Sequence, residues 1–438
     1  MSISQNFSNT RPSLNLNFAR SKTLDPRITF SRPQTGNGVT YVGEDGLIKY
    51  ASADEPRFDH DPVTGECLGL LVEEQRTNYF HGTQPGSGGT VSDGNVVGAD
   101  GVIAKKFVPT AGSVSFPSIN SRTNYTIPEG SQVNGGTVDI SFTGYIAALA
   151  DDLYTPDIVI QINTSAGNTN YIFAELLPNL SNGTVWYKGG IGINGVTELI
   201  EPQITLMPFG MYKITWSIRY TQGATIRDTV SYYLQCRQKG ANPVNTTGVY
   251  TADGVNGFQY SCIQFEIGSF PTSYISTTTT SITRNPDSVT MTGDNFSDWY
   301  NQSEGTFYSQ FKTLDTENAT SFLVSDNSAD NYIFNWIDGV GDLRFRVRVP
   351  GSHSFNDIAT ASANQNNQSA LAYAINNFAG VLNGGTILSD SNGTLPTGIN
   401  RLDIGRYYSG ITVLNGTISQ LTYYPVRLPN STLQTLTK

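Results

Sequence analysis

Residues 263–311 read IQFEIGSFPTSYISTTTTSITRNPDSVTMTGDNFSDWYNQSEGTFYSQF. Ile263, Phe265 and Ile267 alternate with Gln264, Glu266 and Gly268, the two-residue period of a strand with one buried face. Gly268 and Pro271 break that strand. Ser276 to Ser281 is Ser and Thr throughout, with nothing apolar to anchor it, so it reads as an extended linker. Val289 and Met291 resume the alternation, Asp294-Asn295 turns the chain, and Thr306 to Phe311 opens a new strand. One β domain therefore closes near Tyr274, and another begins near Asp287.

The 438 residues suffice for two or three domains, each with a substantial core. Only 14% are charged, 44 are Gly, and aromatics reach 11%, the profile of a turn-rich all-β protein. A net charge of −10 without a Lys/Arg cluster argues against a nucleic-acid partner. The one basic strand, Arg344-Phe345-Arg346-Val347-Arg348, reads first as a solvated Arg face and second as an anion-binding one. Cys67, Cys236 and Cys262 have neither zinc spacing nor the makings of a disulfide framework. Met1-Ser2-Ile3-Ser4-Gln5 lacks a basic start and an apolar core, so no signal peptide is expected. No apolar run approaches a membrane span.

Four sections follow from the pattern. Residues 1–80 hold short strands and a hairpin around Glu44-Asp45-Gly46, too little core to stand alone. They are expected to dock on their own chain, on sister subunits or on a larger assembly. Residues 81–275 carry regularly spaced strands, the best being Tyr212 to Tyr220 in strict alternation, and read as a jelly-roll sandwich. Residues 276–286 form the linker and 287–438 the second sandwich. There Ala359 to Tyr373 looks too polar for a clean strand, and Asn430-Ser431 is placed to cap a closing helix. The fold class is thus all-β, two tandem β-sandwiches after a small N-terminal β-rich section.

Two passages add a resemblance. LDPRITFSR (24–32) with DGLIKYASADEPRFDHDPVTGECLGLLVEEQRTN (45–78), and EIGSFPTSYI…TR with NFSDWYNQSEGTF, resemble segments of tailed-bacteriophage virion proteins. There such a passage joins a sandwich like carbohydrate-binding modules to one like concanavalin A and laminin G. The closing RLDIGRYYSGITVLNGTISQLTYYPVRLPNSTLQTLTK resembles the end of laminin-G-like lectin domains. The resemblance implies a virion structural protein, made in the host cytoplasm, whose residues 1–80 attach it to other virion proteins. It further implies repeated copies, with a trimer as one form, and adhesion to host surface glycan from a tail fibre or appendage. A capsid decoration protein without catalytic role and a glycan depolymerase are the alternatives.

The residues offer little for catalysis. His60, His81 and His353 stand without a Gly-x-Ser-x-Gly elbow, and no Glu-x-Asp-x-x-Glu motif lies in the last section. Glu175, Glu198 and Glu201 are acids that spacing alone cannot pair. The expectation is therefore a protein that is not an enzyme. For binding, Tyr407 and Tyr408, Trp186 with Tyr187, Trp299 with Tyr300, and Trp336 are the rings that could stack on a sugar, with a core role the first reading for most of them. Trp216 and Trp336 lie in alternating strands and are assigned to cores. Asp326, Asp330, Asp338 and Asp342 supply hard oxygens in tight turns; plain turns are the first reading and calcium the second. No cofactor is expected apart from that calcium. If glycan binds, Tyr407 or Tyr408 should meet both Asp-rich loops at one tip of the sandwich.

Overall fold

A computed structural model describes residues 10–33, 38–81, 85–115, 117–120, 125–148, 154–163, 169–176, 185–189, 195–238, 249–314, 318–361, 365–410 and 412–438. The described chain is built almost wholly of antiparallel strands in two sandwiches, as its alternating sequence dictates. Among the described residues no helix is long and apolar enough to cross a membrane.

In the first sandwich a six-stranded sheet runs Val196–Leu206, Tyr212–Thr221, Thr137–Ala148, Phe258–Ile267, Ile103–Pro109, Gly89–Val97. A second sheet, centred on Tyr154–Asn163 and Thr229–Gln238, faces it. The alternation of Tyr212–Thr221 sends Ile214, Trp216, Ile218 and Tyr220 into a core with Phe142, Phe265, Ile160 and Tyr232. The other face of the six-stranded sheet is polar but buried: Ser141, Thr143, Ser217, Gln264 and Glu266 are at most 5% exposed.

Residues 14–72 are what brings strands to the other sandwich. Its seven-stranded sheet begins with Thr29–Ser31, then Ser288–Thr292, Arg401–Ile404, Ala319–Ser325, Tyr332–Ile337, Asp342–Val349 and Ser352–Thr360. In the facing sheet, Gly416–Tyr424 pairs with Glu304–Thr313, Cys67–Val72 and Leu14–Asn17. Leu14, Leu16, Phe18, Leu70 and Val72 enter one core with Phe307, Phe322, Phe345 and Tyr423. The first section therefore docks on its own chain. Its hairpin, Thr40–Val42 with Ile48–Tyr50, reaches the first sandwich as well, placing Ile48 among Ala99, Tyr145, Met207 and Met211.

Two local readings need correction. Asn367–Ala374 is a full strand inside the stretch that looked too polar. Its buried Ser369 is satisfied by Ser309 Oγ at 2.7 Å and by Asn335 Nδ2 at 2.6 Å, so polarity costs it nothing. The closing helix Asn430–Leu436 starts directly after Pro429 without a side-chain cap; Leu433 anchors it by burial.

Where the two sandwiches meet, charge is buried. Arg32, Arg57, Arg284 and Asp287 are fully enclosed, and Glu73 is 3% exposed. Arg32 Nη1 and Arg57 Nη2 donate to the two Asp287 oxygens at 3.0 and 2.6 Å. Arg57 Nη1 and Arg284 Nη1 lie 2.8 and 3.0 Å from Glu73 Oε2, and Ser273 donates to Glu73 through N and Oγ. Further N–H groups go to the carbonyls of Thr40, Ser52, Glu55 and Glu74. Burial alone would raise the Glu73 carboxyl, but Arg284 and Arg57 outweigh it and hold it down at about 2. Burial lowers Arg284, whereas for Arg57 the two carboxylates outweigh burial and raise it.

The Ser/Thr stretch is only partly a linker. Ile282–Arg284 pairs antiparallel with Arg76–Asn78, and Thr277 Oγ1 donates to the Phe80 carbonyl. Gly268 bends the preceding segment at φ +148; a Cβ there would fall on the Arg76 guanidinium, which reaches the Ile267 carbonyl. Only 278–280 are exposed in that run. Brief proteinase K treatment should therefore nick the chain within 278–280, while trypsin leaves the Arg284–Asn285 bond intact. N-terminal sequencing of the fragments checks this; rapid tryptic cleavage after Arg284 would contradict the pairing.

Candidate functional site

The outward face of the seven-stranded sheet carries the densest chemistry. Strand Tyr332–Ile337 turns Ile333 and Ile337 into the core, so the two-residue period sets Tyr332, Phe334 and Trp336 outside. Strand Asp342–Val349 buries Leu343, Phe345 and Val347 and sets Arg344, Arg346 and Arg348 outside. The register places Trp336 opposite Arg344, Phe334 opposite Arg346, and Tyr332 opposite Arg348. An aromatic row thus runs beside an arginine row.

Tyr407 and Tyr408 complete the face from a turn, not from a strand. The turn is closed by a bridge between Arg406 and Val413 and by Gly410 N–H donating to the Tyr407 carbonyl. The Tyr407 ring stands 5.3 Å from Phe334, 6.4 Å from Tyr332 and 4.6 Å from Tyr408. Phe334 and Trp336 lie nearly parallel, 5.9 Å apart, and Arg346 sits over the Trp336 ring at 4.9 Å. Burial, with Tyr332 and Tyr408 nearby, pushes the Tyr407 hydroxyl up to about 12, so it is a neutral hydrogen-bonding group at ordinary pH. Leu323, Tyr332 and Phe334 are buried beneath, while Trp336, Tyr407 and Tyr408 are half-buried.

Trp336 is therefore not a core residue, which corrects the assignment from its strand; Trp216 is, at 1% exposure. Alternation identifies a two-faced strand without saying which face the fold covers. Trp186 and Tyr187 lie on strand Val185–Gly189, and their side chains fall outside the described residues.

The two Asp-rich loops do not meet. Asp326 N–H closes the turn onto the Asn331 carbonyl before strand Tyr332–Ile337, and Asp338 N–H closes the next turn onto Asp342 after it. A strand of that length separates them by about 20 Å at ~3.3 Å per residue. The expected shared tip is thus ruled out by topology. Asp326 accepts from Ser328 N and Asn331 Nδ2, Asp330 pairs with Arg348 at 2.6 Å, and Asp338 pairs with Arg344. Asp342 lends its N–H to Asp338 Oδ1. Burial pulls the Asp338 carboxyl up, but the N–H groups of Val340 and Asp342 and then Arg344 outweigh it and hold it low. Among the described residues no three His, Cys, Asp or Glu side chains gather as a metal site.

The fold has looser counterparts among solved structures. No family model matches the chain, and no curated protein does. It is similar to the CBM40 of the Ruminococcus gnavus IT-sialidase, at 18% identity over 31% of this chain and 83% of that one, TM-score 0.27. It is also similar to the LG1–3 region of the laminin α2 chain, at 9% identity over 74% and 68%, TM-score 0.24. Mouse laminin α1 LG4–5 matches at 10% identity over 73% and 90%, TM-score 0.22. Likeness at these scores carries no weight for function; the geometry of the face has to.

Arg344, Arg346 and Arg348 are residues for which the sequence put a solvated face ahead of anion binding. Their signal, Arg at every second position, is the same for an idle solvated face. Only the aromatic row on the neighbouring strand distinguishes the two.

Proposed function

We propose that this chain is a tailed-bacteriophage virion component, displayed in repeated copies for adhesion to host surface glycan and without catalytic function. The observation that carries the adhesion reading is the group Trp336, Tyr407 and Tyr408, half-buried over Phe334 on an outer sheet face. Rigid rings present flat apolar area at low entropy cost, which suits the face of a sugar ring. The virion reading is supported by the two resembling passages. Arg32, Arg57 and Glu73 of the first passage and Arg284 of the second meet, with Asp287 from the interval in the second, in one buried cluster, so the two passages are packed together. Attachment to other virion proteins is assigned to the outer surface of residues 1–80, since their inner surface is taken up by the chain itself.

Particles bearing Trp336→Ala, or Tyr407→Ala with Tyr408→Ala, are expected to adsorb to host cells more weakly. Each lost ring should cost about 1 kcal/mol, roughly fivefold per site, and repeated copies multiply it. A chelator is expected to change nothing, since among the described residues no three His, Cys, Asp or Glu side chains gather at this face. Unchanged adsorption by folded variants would remove the site from this face. Release of reducing ends from host polysaccharide would instead establish a depolymerase, and binding to no glycan a decoration protein.

A further inference from the structure

We infer that the glycan held by this face is acidic, a sugar carboxylate docking on the Arg346 guanidinium beside Trp336. This rests on the adhesion reading and sharpens it. The chain is acidic, with a net charge of −10, yet three guanidiniums stand in succession on one strand face. Two of them are answered from within: Arg344 by Asp338 and Arg348 by Asp330. Arg346, the central one, is not. Its Nε donates to the neutral Asn356 Oδ1 at 2.8 Å, its planar group lies over Trp336, and among the described residues it makes no ion pair.

That arrangement has the parts of a carboxylate receptor. A guanidinium carries five N–H donors in a fork that matches the two oxygens of a carboxylate, and stacking on Trp336 fixes its plane beforehand. The flanking Arg344 and Arg348 are each partnered, and their acids lie beyond the two ends of strand Tyr332–Ile337, away from Arg346 in the middle. Tyr407 packs against Phe334, which stands directly opposite Arg346, so with strands about 4.8 Å apart a sugar resting on the half-buried Tyr407 and Tyr408 rings brings its substituents to Arg346. A neutral sugar would use the rings and leave the fork idle. Asp residues at the two ends would repel an acid placed there, which directs it to the middle.

The test uses the full chain and uronate-containing oligosaccharides, each paired with its carboxyl-reduced neutral derivative, in calorimetric titrations at low and high salt. The acidic form should bind at least tenfold tighter, with the preference shrinking as salt rises. Arg346→Gln should abolish the preference while weak binding of the neutral form persists. Arg346→Lys should restore only part of it, since the ammonium lacks the fork. Equal affinity for both forms overturns the inference and leaves the adhesion reading intact. A preference untouched by Arg346→Gln overturns the assignment of the site. Binding of neither form sinks both readings, provided that the melting temperature shows each variant folded.

Discussion

Arg57→Met should lower the stability of this chain by about 3–5 kcal/mol, the usual cost of removing one member of a buried ion pair. Arg57 is the hinge pin of the cluster: it alone contacts both Asp287 and Glu73. Without it, each carboxylate keeps one guanidinium and loses another, in a place water does not reach. Methionine fills much of the volume, so the loss isolates charge from packing. Denaturant unfolding read by tryptophan fluorescence measures it, with Trp216 reporting the first sandwich and Trp299 the second. A loss below about 1 kcal/mol would show that the cluster contributes little net stability. Acid gives an independent check. Glu73 sits at about 2 in the folded chain against an ordinary 4.5, so its contribution is complete above 4.5 and is lost as pH falls towards 2. The shift is worth about 3 kcal/mol at 1.36 kcal/mol per pH unit. Glu73→Gln should flatten that part of the stability profile.

A chain beginning at residue 81 is expected to keep the first sandwich and lose the second. Removing residues 10–80 takes Leu14, Leu16, Phe18, Leu70 and Val72 out of a shared core. At roughly 1.5–3 kcal/mol for each large buried side chain, the loss approaches or exceeds the 5–15 kcal/mol of a whole domain. From its buried core the first sandwich loses only Phe80 and the cover of Ile48, and it should survive because the rest of that core, around Phe142, Ile160, Trp216 and Tyr232, lies between its own two sheets, while Ser217 and Gln264 stay bonded to residues 269–275. Hydrogen exchange would show protection retained in Thr137–Ala148 and lost in Glu304–Thr313 and Gly416–Tyr424. Adding a peptide of residues 10–80 should restore it. Protection of both strands without that peptide would mean that the second sandwich closes unaided.

The strands and both cores were legible because alternation is local. Tyr212–Thr221 and Asp342–Val349 need no more than their own residues to be found. The shortage of core in residues 1–80 was legible too, but its destination was not. Pairing Leu14 with Tyr423 is a fact about chain topology, and no period in either segment encodes it. Nothing local marks the arginines of the joint, since Lys and Arg are normally exposed and the burial of Arg32, Arg57 and Arg284 depends on carboxylates supplied by other segments of the chain. Of the candidate face, Tyr407 and Tyr408 were legible because, of two adjacent rings, one has to face outward. Trp336 was misplaced because a strand's two faces are equivalent until something packs on one of them.

The pairing of the first strand with the last also sets a timetable. Asn15 and Thr422 touch across 407 positions of sequence. On a ribosome adding some 5–20 residues per second, the opening segment emerges tens of seconds before the strand it must flank exists. During that interval Leu14, Leu16, Phe18, Leu70 and Val72 have no partners, while the first sandwich can already fold within its own stretch. Each nascent chain therefore carries a sticky leading end past its siblings on the same messenger. In that crowd a chain whose late strand is delayed could accept a neighbour's strand in place of its own.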